Sequence, residues 1–547
     1  MVYMNKKFSI SLLSLCIGLS SAISFSADAR DITIYYTNDL HAHVTPEIIP
    51  YVSKTRPVGG FAPISKIVKD AKAKEKDVFF FDAGDYFTGP FISTLTKGEA
   101  IIDILNTMPY DAVSVGNHEF DHGHENLVKQ LSKLQFPVLL DNVFYSGTDT
   151  PLIKEPYTIV EKDGFKIGVI GMHGVSAFYE AIAAGVREGV DCRDPIPYVK
   201  KQLEELKGKV DLTVLLAHEG VPGMQSSAGE ADVARALKTD VDMAKSLEGY
   251  GLNVLITGHA HKGTPEPIKV GDTLVVSTDA YTIELGKLVL DWNPETKKVD
   301  SYNGKLITMY ADTYKPDPVT QAKIDEWDNK VKKITDEVVA HSPEVLTRSY
   351  GESAPTGNLI TDALMATVPG ADASFYNAGG IRTELPKGNI TYGDVLSMYP
   401  FTNDVMSMEI SGKDLKSIMS HAADLKNGML HVSKTVQFKY DSTKPLGQRI
   451  VEFDIKGKPV EDNKLYTVAL DSFIGKGGGG FTFTKGKNIK YIGIQTAPAL
   501  VNYMKQVNNS KNIKYIGIQT APALVNYMKQ VNNIQPDHTM RVDDISK

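Results

Sequence analysis

Cysteine is nearly missing from this chain: 2 among 547 residues, Cys16 and Cys192. Cys16 falls in an N-terminal leader, so the remaining chain has one thiol and no intrachain disulfide. No neighbour of Cys192 in the sequence suggests an activated nucleophile. Basic excess is missing too: 59 Lys and Arg stand against 66 Asp and Glu, a formal net charge of −7. That excludes the electrostatic footprint of a protein that grips duplex nucleic acid or an anionic membrane, and any phosphate affinity must be local to a site. Past the N-terminus, no apolar run is long enough to span a bilayer.

What is present begins with Lys6-Lys7, an apolar Ser-rich stretch over residues 8–25, and Ala27-x-Ala29. This reads as a secretory signal peptide over 1–29, with the mature chain starting near Arg30 and no stable membrane anchor. Periplasmic or secreted localisation follows. The length calls for two domains. From 31 to about 290, short β-branched strands alternate with helical stretches at 63–74, 100–106, 126–134 and 197–206, the pattern of an α/β layered sandwich. Val319, Ile324, Trp327, Val331, Ile334 and Val338 recur at near-helical spacing and place a connecting helix over 316–341. A second α/β segment follows, with strands expected at 405–410, 435–440, 450–455 and 466–470. The expected division is 1–29, 30–315, 316–341 and 342–547. Near the end, residues 487–509 recur without change as 511–533, separated only by Ser510. Each copy reads as a strand followed by a helix. Two identical units are too few and too alike for a solenoid, and point to a recent in-frame duplication, or to an error in the sequence, with no catalytic role.

Six apolar runs in the first half end in Asp, His, Asn or Gly. They lead into Asp39-Leu40-His41, Asp82-Ala83-Gly84-Asp85, Gly116-Asn117-His118-Glu119, His173, His218-Glu219 and Gly258-His259-Ala260-His261. Singly, each is more often a cap or a satisfied polar turn. Together they bring carboxylate, imidazole and amide oxygen to strand carboxyl ends, where α/β sheets collect ligands. Such donors suit a pair of divalent cations.

The stretches TNDLHAH, DAGDYFTG, GNHEFDHG, LLAHEG and TGHAH resemble the metal motifs of calcineurin-like metallophosphoesterases. Their order and the downstream half resemble the secreted bacterial 5′-nucleotidase and UDP-sugar hydrolase family. The resemblance implies a four-layer α/β/β/α sandwich, the connecting helix, and a smaller C-terminal α/β substrate-binding domain. It implies that Asp39, His41, Asp85 and His261 hold one metal, and that Asp85 bridges to a second held by Asn117, His218 and His259. Zn, Mn, Co or Mg would serve, and His261 stands where some members have Gln or Asn. His118, oriented by Asp121, would face the phosphoryl group, and a metal-activated water would displace the ribose oxygen. Asp82 is expected to be structural. His43, His122, His124 and His173 are read as turn or supporting residues.

Asn377-Ala378-Gly379-Gly380-Ile381-Arg382 resembles the family's substrate loop, in which Asn377, Gly380 and Arg382 would contact substrate. Phe401, with Asn403 beside it, and Phe481, after four glycines, stand where the family stacks a nucleobase. Arg348 aligns loosely as a phosphate contact. Gly479 stands where an Asp is common. The expected substrate is a small-molecule nucleotide rather than nucleic acid, hydrolysed at its 5′-phosphate. The alternatives are a UDP-sugar hydrolase or 2′,3′-cyclic phosphodiesterase/3′-nucleotidase, and, in another class, a non-catalytic periplasmic nucleotide-binding protein.

Overall fold

The structure, a computed structural model, describes residues 30–182, 186–221, 230–401, 403–424, 428–507 and 536–546. The expected signal peptide and the second repeat copy lie outside the described residues.

The first half is built on two sheets. One has five strands, with Arg30–Thr37 between the antiparallel Glu284–Asn293 and the parallel Val78–Asp82, which in turn pairs with Ala112–Val113. The other has six, with Phe165–His173, Leu212–Glu219 and Val254–His259 in parallel at its centre. Ile32, Ile34, Phe79 and Phe81 from the first sheet share a core with Ile167, Val214, Leu216 and Ile256 from the second. The alternate residues Tyr35, Val78 and Phe80 face outward onto the helices Phe61–Lys74 and Glu99–Leu105. Leu215, Leu255 and Ile170 face Pro195–Leu206 and Lys238–Ser246. Helix, sheet, sheet, helix is therefore the layer order. It explains why the strands read as continuous apolar runs: side chains alternate between faces and both faces are covered.

The helix after this sandwich spans Pro318–Thr335. Its first turn is capped by Asp317, which accepts the Thr320 N–H at 2.9 Å. It lies against the first half through Ile324 and Val331, and Trp327 Nε1 donates to Asp103 at 3.2 Å. It ends earlier than the expected 341. Val338–Ser342 is a strand paired with Gly388–Thr391, since Val338-Val339 is β-branched and Asp336 closes the helical turn.

The second half has a five-stranded sheet that includes Ala373–Asn377, Leu465–Asp471, Asp404–Ser411 and, at one edge, Lys487–Gln495. A four-stranded sheet ends in Val542–Asp544. The first repeat copy is packed here. Helix Thr496–Val507 buries Ala497, Ala499, Leu500, Val501 and Met504 in a core shared with Ile360 and Leu364. Between the halves, Phe91 and Leu95 of helix Phe91–Thr96 pack against the cores of both.

Candidate metal centre

Five strands deliver their C-terminal residues to one place. Ligand atoms of Asp39, His41, Asp85 and His261 all lie within 4.8 Å of one another, and so do those of Asp85, His218 and His259. Asp85 is common to both groups. Asn117 Oδ1 lies 3.1 Å from His218 Nε2 and 2.8 Å from His259 Nδ1, which joins it to the second group.

The backbone is forced into place. Asp39, His41, Asp85, His259 and His261 all have positive φ, between 46° and 72°. Each costs on the order of 1 kcal/mol or more for a residue with a side chain, and such strain collects at functional sites. A Cβ on Gly116 would lie 2.2 Å from Asp85 Oδ1, so only glycine lets these two loops touch.

The proton arrangement tests whether cations fit. His41 Nδ1 donates to the Thr88 carbonyl at 2.9 Å, and His218 Nδ1 donates to the Ala83 carbonyl at 2.9 Å. In the neutral rings that leaves an Nε2 lone pair on each. His41 Nε2 meets His261 Nε2 at 2.9 Å, and His218 Nε2 meets Asp85 Oδ2 at 3.0 Å. Nitrogen and carboxylate atoms this close together can be held either by shared ring protons or by a positive charge between them, and a divalent cation is one such charge. Burial opposes a charged His218, yet the charge of Asp85 lifts it to about 10, which shows how strongly this cluster of donors attracts positive charge. The donor set fits two divalent cations sharing Asp85.

His118 sits beside this cluster without joining either group. Its backbone N–H donates to Asp85 Oδ1 at 2.8 Å, and its Nδ1 lies 2.7 Å from Asp121 Oδ2. Burial would lower the ring's pKa, but Asp121 and Asp85 outweigh it and lift it to about 10. The side chain is 34% exposed, so the imidazole can be reached from solvent.

The residues singled out in the second half gather around a different loop. Arg348 Nη1 donates to Ile381 O at 3.0 Å and Arg382 Nη1 to Gly379 O at 3.2 Å, so two guanidinium groups converge on the 377–382 turn. Asn377 Oδ1 is buried there without a partner among the described residues. A Cβ on Gly380 would lie 2.2 Å from the Tyr376 hydroxyl. Phe401 is exposed, with the Arg382 guanidinium 5.8 Å from its ring centre. Two placements differ from expectation. Asn403 spends its Nδ2 on Asp471 at 3.0 Å rather than facing an opening. Phe481 is 1% exposed and packs edge-on against His421 at 5.3 Å, in the apolar core, so it presents no open face opposite Phe401. Apolar burial of a ring that follows a glycine run outweighs the open placement expected of it.

Comparison with known proteins bears on this geometry directly. A calcineurin-like phosphoesterase model matches residues 32–263, and a 5′-nucleotidase C-terminal domain model matches residues 334–486. The chain belongs to the two-domain 5′-nucleotidase family of metallophosphoesterases. Within that family, an apyrase from Tabanus yao is 28% identical over 529 residues, covering 87% of this chain and 91% of that protein. A 5′-nucleotidase from Diplobatis ommata is 27% identical, covering 87% of each. The crystal structure of a 5′-nucleotidase precursor from Thermus thermophilus shares the fold, with TM-score 0.67, 24% identity, and coverage of 95% of this chain and 100% of that one.

The family's motif strings drew attention to their metal donors and away from what holds them. Glu119 is fully buried and accepts the backbone N–H groups of Asp85 (2.9 Å), Phe87 (2.9 Å) and Gly116 (2.7 Å). The letters GNHE contain it, but they do not show which backbone groups a carboxylate will meet. Asn38 Nδ2 donates to Asp39 Oδ2 at 2.8 Å, and Asp82 accepts the Thr37 hydroxyl and the Gly84 N–H. Tyr281 packs its ring 4.6 Å from His43, 5.5 Å from His41 and 5.6 Å from His261. It lies twenty residues beyond the last motif, and no local signal marks it.

Proposed function

We propose that the chain hydrolyses nucleoside 5′-phosphates to nucleoside and phosphate. The observation that carries this reading is Asp85: one buried carboxylate shared by two donor groups, with the Nε2 atoms of His218 and His41 turned toward it. Asp39, His41, Asp85 and His261 are the residues proposed for one cation, and Asp85, Asn117, His218 and His259 for the other. Bound there, two such cations would supply charge neutralisation for phosphoryl oxygens and a more acidic water. His118, held by Asp121 and partly exposed, is placed to stabilise the phosphoryl group as charge develops. Arg348 and Arg382 offer the 377–382 loop a cationic rim suited to an anionic substrate. Asn377 and Phe401 are the proposed contacts to the nucleoside, and Phe481 joins them only if it leaves the core. Residues 30–315 are proposed as the catalytic domain and 342–547 as the substrate domain. Export to the periplasm or beyond is inferred from the 1–29 pattern, and among the described residues no helix is long and apolar enough to cross a membrane.

Phosphate release from AMP, UMP, ATP, UDP-glucose and 2′,3′-cyclic AMP, with and without chelator, tests the reading. Chelator-sensitive release from AMP and UMP is the expected result. Preference for UDP-glucose or the cyclic nucleotide reassigns the substrate, and nucleotide binding without turnover returns the chain to a binding protein.

A further inference from the structure

Glu119 belongs to none of the donor groups, yet its geometry ties it to all of them. Its Oε2 accepts from both Asp85 N and Gly116 N, and its Oε1 accepts from Phe87 N. These three N–H groups come from two loops, one after strand Val78–Asp82 and one after Ala112–Val113. Asp85 between them has φ 61°, a conformation an ordinary side chain avoids. The seam between the loops is so tight that Gly116 has no room for a Cβ. Across it, His118 N donates to Asp85 Oδ1, which leaves Oδ2 aimed at His218 and His41. The carboxylate closes the seam from behind, and nothing else among the described contacts satisfies those three donors.

We propose that Glu119 is a positioning residue for the bridging site: its carboxyl group, accepting through both oxygens, holds Asp85 in the strained conformation that turns Oδ2 toward His218 and His41. This rests on Asp85 serving as the shared ligand, but not on what the enzyme hydrolyses. A glutamine in its place keeps the volume and loses the function for a geometric reason. An amide has one acceptor oxygen and one NH2, so whichever way it turns, at least one backbone N–H faces another donor. The released strain lets Asp85 relax toward ordinary backbone, and the two cations lose their common ligand.

The experiment measures metal binding directly, without nucleotide. Glu119→Gln and Glu119→Asp are prepared in the full chain, freed of metal, and titrated with Mn²⁺ by calorimetry and with Co²⁺ by visible absorption. Helical content is read by circular dichroism. Supporting residues of this kind change metal affinity by roughly 10–100-fold. The expected result is a folded Glu119→Gln that binds at least one Mn²⁺ equivalent more weakly by that factor, with an altered Co²⁺ spectrum. Glu119→Asp, which keeps the carboxyl group but is one methylene short, should fall in between. Wild-type affinity and spectrum in a folded Glu119→Gln overturn the proposal. If Glu119→Gln does not fold, Glu119→Asp carries the test, and wild-type Mn²⁺ affinity there overturns it equally. Absence of nucleotide hydrolysis in the parent protein would sink the proposed substrate and leave this result standing.

Discussion

At the residue scale, the site shows how much is decided by which atom of a side chain is left free. His41 and His218 commit Nδ1 to carbonyl groups and present Nε2, whereas His118 commits Nδ1 to Asp121 and joins no donor group. His118→Ala should therefore leave metal stoichiometry near wild type while kcat falls by a factor of roughly 10² or more, as for other transition-state donors. Metal analysis of the purified variant decides it, because loss of one equivalent would make His118 a ligand. Away from this site, His431 is buried behind Gly357 and its pKa is pushed down to about 4 by burial, against a hydrogen bond to Ser349 backbone. The ring is neutral when folded and takes up a proton near 6.5 when unfolded. Its contribution to stability is complete above pH 6.5 and is lost as pH falls toward 4, a change of roughly 2–4 kcal/mol. Urea midpoints across that range should drop for the wild type, and His431→Asn should flatten part of the slope. An unchanged slope in the variant would assign the loss to other groups.

At the element scale, the repeat offers a clean comparison. The first copy supplies strand Lys487–Gln495 and helix Thr496–Val507, whose Thr496 N–H is held by Asn403 O at 2.9 Å and whose Lys505 pairs with Glu337 at 2.8 Å. Excising 487–510 or 510–533 leaves the same polypeptide, because the copies are identical. That shortened chain should fold and keep its activity, with a melting temperature within a few degrees of the parent. Leu500 is buried in the packed copy, and Leu524 is its counterpart in the other. Leu500→Asp buries an unpaired charge and should destabilise by roughly 3 kcal/mol or more. Leu524→Asp should leave the melting curve in place. Equal effects from the two substitutions would mean that the copies exchange in the slot.

At the scale of the whole molecule, the halves meet just beyond the Asp85 loop. Phe91 and Leu95 belong to the short helix that follows Thr88, and each packs against both cores. The connecting helix is docked on the first half through Ile324, Val331 and Trp327, and its far end also meets helix Tyr392–Met398 of the second half at Gly393. Replacing both Phe91 and Leu95 with alanine should loosen this contact. Nucleotide kcat/KM should fall several-fold while bound metal per chain stays unchanged. A parallel loss of metal would place the pair in support of the Asp85 loop instead of the contact between halves.

What the sequence determined by itself were the strands and the donors at their ends. Runs such as Val78–Asp82 are too apolar and too β-branched or aromatic to lie anywhere but in a covered sheet, and Asp85 three residues later has nowhere to go but the sheet edge. The identity of the repeat was equally plain, because it is a property of letters. The tertiary structure decided what depends on contacts between distant segments. It turned Asp85 Oδ2 toward His218, 133 residues away along the chain, and buried Glu119 against three N–H groups from two loops. It ended the connecting helix at Thr335, where pairing with Gly388–Thr391 wins over the helical spacing of Val338. It packed the first repeat copy, and it put Phe481 in the core beside His421. Local pattern records which residues can reach a site; burial and backbone strain, set by the whole fold, decide which atoms they present there.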